Sequence, residues 1–389
     1  MEFVFTPEQA ELRAQVHDLC SRFPNAYWRE TDQARAYPEE FVRTLTEAGY
    51  LSALIPREYG GLGLGVTEAS IVLEEINRSG GSSAACHAQM YIMGALARHG
   101  NEEQKRQWLP EIARGALRLQ AFSVTEPEAG SDTTKIRTQA QRQGDDYIVN
   151  GHKNWTSRIE QSDLLLLLAR TTPLQETTQR TSGLSLFLVD LREARHQEGA
   201  LEVQRVRTMF NYETYQVTYH NLRLPGDSLI GEEGKGFRYV IDGWNAERIL
   251  LAAECIGDGN WFVERAAQYA RTRVVFDAPI GRNQGVQFPL ARAHAAIAAA
   301  DLMRYKAAWL FDQGQSCSAE ANMAKLLASE ASWAAANACL DTHGGNGFVA
   351  EYDVERKFRE TRLYQVAPIN NNLVLAYVAT HVLGLPKSY

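Results

Sequence analysis

Trp244, Glu247, Leu251 and Cys255 recur at three- and four-residue spacing, which places a carboxylate on the apolar stripe of a helix rather than on a solvated face. The i+4 neighbour of Glu247 is Leu251 and not a cation, so no local ion pair accounts for it. Desolvation lifts such a carboxyl toward neutrality, where it can take a proton from carbon as a general base. The alternative is a structural glutamate paired with an arginine distant in sequence. A second candidate is Thr125-Glu126-Pro127-Glu128-Ala129-Gly130-Ser131-Asp132, which mixes hydroxyls, small residues and a glycine. A loop needs that mixture if its backbone N–H groups are to approach a ligand closely. Gly60-Gly61-Leu62-Gly63-Leu64-Gly65 invites a phosphate-loop reading. A dinucleotide fingerprint must follow a strand, however, and the preceding segment reads as helix, so a flexible interhelical connection is expected there.

The elements that must position these residues follow from the period of the apolar pattern. Pro7 to Phe23, Val66 to Asn77 and Glu102 to Ile112 have helical spacing. From Arg118 to about Ile230 the period moves toward two and β-formers rise, in Tyr147-Ile148-Val149, Leu164 to Leu168, Leu184 to Val189 and Tyr215 to Tyr219. After Gly236 the helical period returns, broken near Asp277-Ala278-Pro279, Gly314 and His343-Gly344-Gly345. The expectation is an α+β, mainly α chain: a helical domain over 1–120, a β domain over 121–232 and a helical bundle over 233–389. Helices and strands that segregate in this way argue against βαβ units and a Rossmann-type site.

At 389 residues the chain exceeds one simple core. A net charge of −7 weighs against nucleic-acid binding, which needs clustered Lys and Arg. Five cysteines, widely spaced and without a CxxC pair, indicate neither a disulfide framework nor a metal site, and a reducing cytoplasm fits. The first residues carry no basic or apolar signal region, and the longest aliphatic run, Leu164 to Leu168, is too short to span a bilayer.

The loop at 125–132, followed by Asn150-Gly151-His152-Lys153-Asn154-Trp155-Thr156-Ser157, resembles the flavin-binding signature of the acyl-CoA dehydrogenases, TEPxAGSD and then NGxKxWI(S/T). The resemblance implies FAD, with Phe122, Val124 and Thr125 against the isoalloxazine, Trp155 flanking it, Ser157 near N5 and Ser131 on the CoA arm. Arg273-Val274-Val275-Phe276 with Pro279-Ile280 and Gln284 is similar to the family's RxxFGxPIxxxQ segment, with Asp277 in place of glycine. There Arg273, Phe276 and Gln284 would reach the FAD pyrophosphate and adenosine across a subunit interface. Gly344-Gly345-Asn346-Gly347-Phe348 resembles GGxG(Y/F), in which Gly344 and Gly345 approach the ADP half; a helix C-cap would use the same glycines. The usual glutamine before that turn is Asp341 here.

The family's common base belongs to a late YEGT motif, but anchoring on Tyr364-Gln365 puts Pro368 in its place. Trp244-Asn245-Ala246-Glu247-Arg248 matches the alternative position of the isovaleryl-CoA and long-chain types, which makes Glu247 the base and sets Asn245 and Arg248 on the substrate side. Pro368 has no N–H to polarise the thioester carbonyl, a loss that typically costs about 3 kcal/mol of barrier unless Ala367 or Ile369 donates instead. Pro368 also suits the first position of the last helix. By resemblance the helix holding His87, Gln89 and Tyr91 closes the acyl cavity, with His87 and Tyr91 favouring a short, branched or polar acyl group; a core histidine satisfied by neighbours is the alternative.

The activity implied is α,β-dehydrogenation of an acyl-CoA to a trans-2-enoyl-CoA, with an electron-transfer flavoprotein as acceptor and a homotetramer, a dimer of dimers, as assembly. Alternatives on the same fold are an acyl-CoA oxidase, an enoyl-CoA reductase or a non-redox thioester lyase, and remotely a non-catalytic DNA-binding relative.

Overall fold

The computed structural model describes residues 5–387. Six helices come first: α1 (Pro7–Ser21), α2 (Asn25–Ala34), α3 (Glu39–Glu47), α4 (Val66–Arg78), α5 (His87–His99) and α6 (Glu102–Ala113). Their starts are written locally. Thr6 Oγ1 accepts from the Gln9 N–H and Gln9 Oε1 accepts from the Thr6 N–H, both at 3.2 Å, a reciprocal cap repeated by Asn101 and Gln104 before α6. The start of α4 is held from afar, since Asp312 Oδ1 accepts from the Val66 N–H at 2.7 Å.

The glycine-rich segment before α4 is not the flexible connection expected. The N–H groups of Leu62, Gly63 and Leu64 donate to the carbonyls of Ser52, Ile55 and Ala53 at 3.2, 2.9 and 2.8 Å. A Cβ on Gly61 would lie 2.2 Å from the Ile55 carbonyl oxygen. Close backbone contact is therefore what these glycines serve, and these N–H groups are not free to hold a phosphate.

Next come β1 (Leu119–Ser123), β2 (Gln139–Gln143), β3 (Asp146–Ser157), β4 (Leu164–Arg170), β5 (Leu184–Asp190), a short α7 (Leu191–His196), β6 (Leu201–Arg205), β7 (Thr214–Leu224) and β8 (Leu229–Ile230). The sheet runs β6-β7-β3-β2-β4-β5-β8, with β1 pairing parallel to β4. Every residue of β4 is buried because both faces are covered. Leu164, Leu166 and Leu168 pack with the apolar residues of α5 and α6, and Leu165, Leu167 and Ala169 with Tyr147, Val149, Phe187 and Tyr219.

The chain closes with α8 (Gly236–Thr272), a hairpin of β9 (Val274–Val275) and β10 (Ala278–Pro279), α9 (Gln284–Asp312), α10 (Ser318–His343), α11 (Val354–Thr361) and α12 (Asn371–Tyr377). Helix, sheet and helix blocks thus follow in the order that the change of period predicted. The long α8 packs against α4, α5, α9 and α10. Ala246 to Gly259 is buried without interruption, so each charged side chain in that stretch is a buried charge. At the other end, α12 begins at Asn371, where Asn370 Oδ1 accepts from the Leu373 N–H at 3.0 Å. Pro368 is therefore not the first residue of the last helix; it stands in the loop before the cap.

Candidate active site

A cavity of about 550 Å³ opens between α5, β1, the end of β3, α8 and the loop before α12. It gathers His87 and Tyr91 from α5; Phe122, Val124, Thr125 and Ser131 from β1 and the following loop; Trp155 and Ser157 from β3; and Glu247 and Arg248 from α8. Asn245 is not on its wall. The Asn245 Nδ2 donates to Ser318 Oγ at 3.0 Å and its Oδ1 accepts from the Arg248 guanidinium at 3.2 Å, so it positions Arg248 instead.

Arg273, Phe276, Gln284, Gly344 and Gly345 also lie outside this cavity. Phe276 and Asp277 form the two-residue turn between Val275 and Ala278 with φ of +52° and +59°, the tight hairpin geometry that explains a preference for glycine there. The Phe276 ring is 98% exposed at its tip. Gly344, at φ +56°, ends α10, and its N–H donates to the carbonyls of Leu340 and Asp341, so the C-cap reading of this turn is realised.

The two signature loops are pinned to each other. Lys153 Nζ, fully buried, donates to the Val124 carbonyl at 2.8 Å and to Glu126 Oε1 at 3.0 Å. Glu126 also accepts from the N–H groups of Arg137 and Thr138 at 2.6 and 2.9 Å. Burial pushes the Glu126 carboxyl up, but Lys153 and these donors prevail and hold it below its ordinary value. Burial likewise pulls the Lys153 ammonium down to about 8 against the attraction of Glu126. Neither residue figured among the site candidates, although both stand inside the motifs. Their pairing fixes Val124 and Thr125 against the strand that carries Trp155, whose indole remains 56% exposed and borders the cavity.

Glu247 is 5% exposed, and no Lys, Arg or His nitrogen forms a salt bridge with it among the described residues. Burial raises its carboxyl to about 7, with Arg248 and the Tyr91 hydroxyl pulling the other way. The expected helical stripe is present: Trp244 and Leu251 share the cavity wall and Cys255 is buried.

His87 is both a wall residue and a satisfied core histidine, because its Nδ1 donates to Glu254 Oε1 at 2.7 Å. Glu254 continues into a polar core: Asn77 Nδ2 donates to the Glu254 carbonyl at 3.3 Å and to Asp258 Oδ1 at 3.0 Å, and Lys357 Nζ meets Asp258 Oδ1 at 2.5 Å. Sequence reasoning missed Glu254, though it lies seven residues, two helical turns, after Glu247 on the same face.

Fold and cavity together define the class: a helix–sheet–helix enzyme in which a buried carboxylate shares its pocket with an aromatic wall. The N-terminal, middle and C-terminal domains of acyl-CoA dehydrogenase match residues 6–116, 121–222 and 234–382, and the chain belongs to that family. Among its relatives, acyl-CoA dehydrogenase FadE12 of Mycobacterium tuberculosis (strain ATCC 25618 / H37Rv) is 36% identical over 390 residues, 100% of this chain and 99% of the relative. The 3-(aryl)acrylate reductase of Clostridium sporogenes (strain ATCC 15579) is 30% identical over 381 residues, 97% of this chain and 99% of that protein. The structure of a glutaryl-coenzyme A dehydrogenase glutaryl-CoA complex matches with a TM-score of 0.92 at 29% identity, over 100% of this chain and 98% of that one. No helix among the described residues is long and apolar enough to cross a membrane.

Proposed function

We propose that this acyl-CoA dehydrogenase uses Glu247 to remove the α proton of an acyl-CoA as the β hydrogen departs, giving a trans-2-enoyl-CoA. The observation that carries this reading is a cavity-wall carboxylate raised to about 7 with no basic side chain salt-bridged to it. FAD, when bound, supplies the two-electron acceptor. The cavity suits that group. Trp155 offers a half-exposed ring, Phe122, Val124 and Thr125 form the adjoining wall, and the buried Asn154 Oδ1 has no partner.

In this reading Ser157 bonds the flavin edge, Ser131 and Arg248 hold the thioester arm, Arg273, Phe276 and Gln284 reach the pyrophosphate and adenosine of FAD in a second copy, and Gly344 and Gly345 approach the ADP half. A dimer of dimers would cover the bare Phe276 ring, and an electron-transfer flavoprotein would receive the electrons. The Ala367 N–H already donates to the Leu363 carbonyl at 2.9 Å, which leaves Ile369 to supply the carbonyl-polarising donor that Pro368 lacks. His87 and Tyr91 make the acyl end polar and favour a short, branched or polar group.

A second reading, reduction of an enoyl thioester, is favoured by the reductase among the relatives. Anaerobic titration of the FAD-loaded protein with short, branched, aromatic and long acyl-CoAs separates the two. Bleaching by a saturated thioester is the result expected. Reoxidation of dithionite-reduced protein by an enoyl thioester, with no bleaching by any saturated one, would establish the reductase.

A further inference from the structure

The cavity holds a cation that proton removal does not use. Arg158 follows Ser157 at the end of β3, adopts φ +58° and is 3% exposed on the cavity wall. One terminal nitrogen donates to the Ala84 carbonyl, the guanidinium lies over the Tyr212 ring at 5.1 Å, and Nε has no acceptor. Among the described residues no carboxylate forms a salt bridge with it, and the adjacent Glu213 commits its own to Arg205 and to the Tyr215 hydroxyl.

Apart from Arg248, which stands on the same cavity wall with Asn245 Oδ1 as its acceptor and is assigned above to the thioester arm, the other buried cations are treated differently. Arg304 has Glu74 at 2.6 Å, Arg356 has Glu360 at 3.0 Å, Lys153 has Glu126 and Lys357 has Asp258. Arg170, which also lacks an acid, donates to the carbonyls of Thr134, Ile136, Arg180 and Ser182. Arg158 has no acid and only the Ala84 carbonyl and the Tyr212 side chain in place of that set of carbonyls, less than a buried charge ordinarily gathers. A second unmatched donor shares the cavity. Gln120 is fully buried, its Oε1 accepts from the Tyr37 hydroxyl at 2.9 Å, and its Nε2 has no acceptor. Burial and the Glu247 charge push the Tyr91 phenol up while Arg158 pulls it down, so both charges act on one stretch of the pocket.

We infer that Arg158, with Gln120 beside it, receives a carboxylate at the far end of the acyl chain, so that the substrate is the monothioester of a dicarboxylic acid. The inference rests on the acyl-CoA reading above and narrows its substrate class. A carboxylate gives the guanidinium its missing counter-charge and acceptors. A neutral chain leaves the donors unmatched, which is how a polar pocket rejects an apolar analogue.

The test is calorimetric binding to the full-length, FAD-loaded Glu247→Gln protein, which removes turnover from the measurement. Three pairs of equal carbon number serve as probes: succinyl- against butyryl-CoA, glutaryl- against pentanoyl-CoA, and adipoyl- against hexanoyl-CoA. In at least one pair the carboxylated thioester should bind tighter by on the order of tenfold to a hundredfold, the worth of a charged hydrogen bond in a buried site. Arg158→Met should abolish or invert that ratio, and Arg158→Lys should restore part of it. Equal or tighter binding of the methyl-terminated partner in all three pairs overturns the inference without recourse to a variant, as does a ratio unchanged by Arg158→Met. Failure of wild-type protein to bleach with any thioester, alongside a preserved binding preference, would break the dehydrogenation reading and leave Arg158 as a carboxylate receptor.

Discussion

Two glutamates on one helix, Glu247 and Glu254, stand two turns apart in the same buried stretch of α8 and are handled in opposite ways. Glu254 meets His87 at 2.7 Å, and its backbone carbonyl accepts from Asn77, which leads on to Asp258 and Lys357. Glu247 faces the cavity beside Trp244 and Leu251, with no salt-bridge partner among the described residues and only the Tyr91 hydroxyl and the Arg248 charge favouring its ionised form. The lesson is that burial alone does not make a base. A buried carboxylate paired closely with an imidazole is architecture; one at a cavity whose neighbours only partly offset burial is held near the ionisation threshold that proton abstraction needs.

Glu247→Gln gives the largest expected effect, flavin reduction by substrate slowed 10²- to 10⁴-fold with FAD retained, as loss of a general base predicts. Stopped-flow bleaching measures it; unchanged bleaching would falsify the assignment. Next is the pH profile of the wild type. The base must be ionised, so the reduction rate should climb about tenfold per unit below pH 7 and level off above it. The same raised value has the opposite sign for stability. The favourable contribution of neutral Glu247 is complete below its unfolded value of 4.5 and lost as pH rises through about 7. The melting temperature of Glu247→Gln relative to wild type should therefore rise across that window.

Glu254→Gln should reverse the pattern, lowering unfolding stability by about 1–3 kcal/mol through the weakened His87 contact while reducing the rate far less than Glu247→Gln. Denaturant melts of the FAD-loaded protein measure the loss, and an intact melt with abolished bleaching would exchange the roles of the two residues. The smallest effect is expected from Tyr91→Phe. Removing a hydroxyl that favours the ionised carboxylate should move the midpoint of the rate profile upward, and a downward move would remove Tyr91 from contact with the base.

The sequence itself determined the block order of helix, sheet and helix, because hydrophobic period and caps are local properties. It also determined the apolar setting of Glu247, and the resemblance of two linked motifs implied that Phe122, Val124, Thr125, Ser131, Trp155 and Ser157 share one site, as the cavity wall does. It left the glycine-rich segment looking loose, because the carbonyls of Ser52, Ala53 and Ile55 that fasten it could not be seen as partners. It also left Pro368 suited to a helix start that Asn370 in fact caps. Only the tertiary structure decided which charges are compensated. His87 and Glu254 are 167 residues apart. Lys153 and Glu126 sit within neighbouring motifs, yet their pairing depends on how the loop folds onto the strand. Arg158 directly follows a recognised motif, but its burial without a counter-ion is set by α5, β1 and the segment around Tyr212. Compensation of charge depends on distances between elements remote in sequence, and no local pattern encodes those distances.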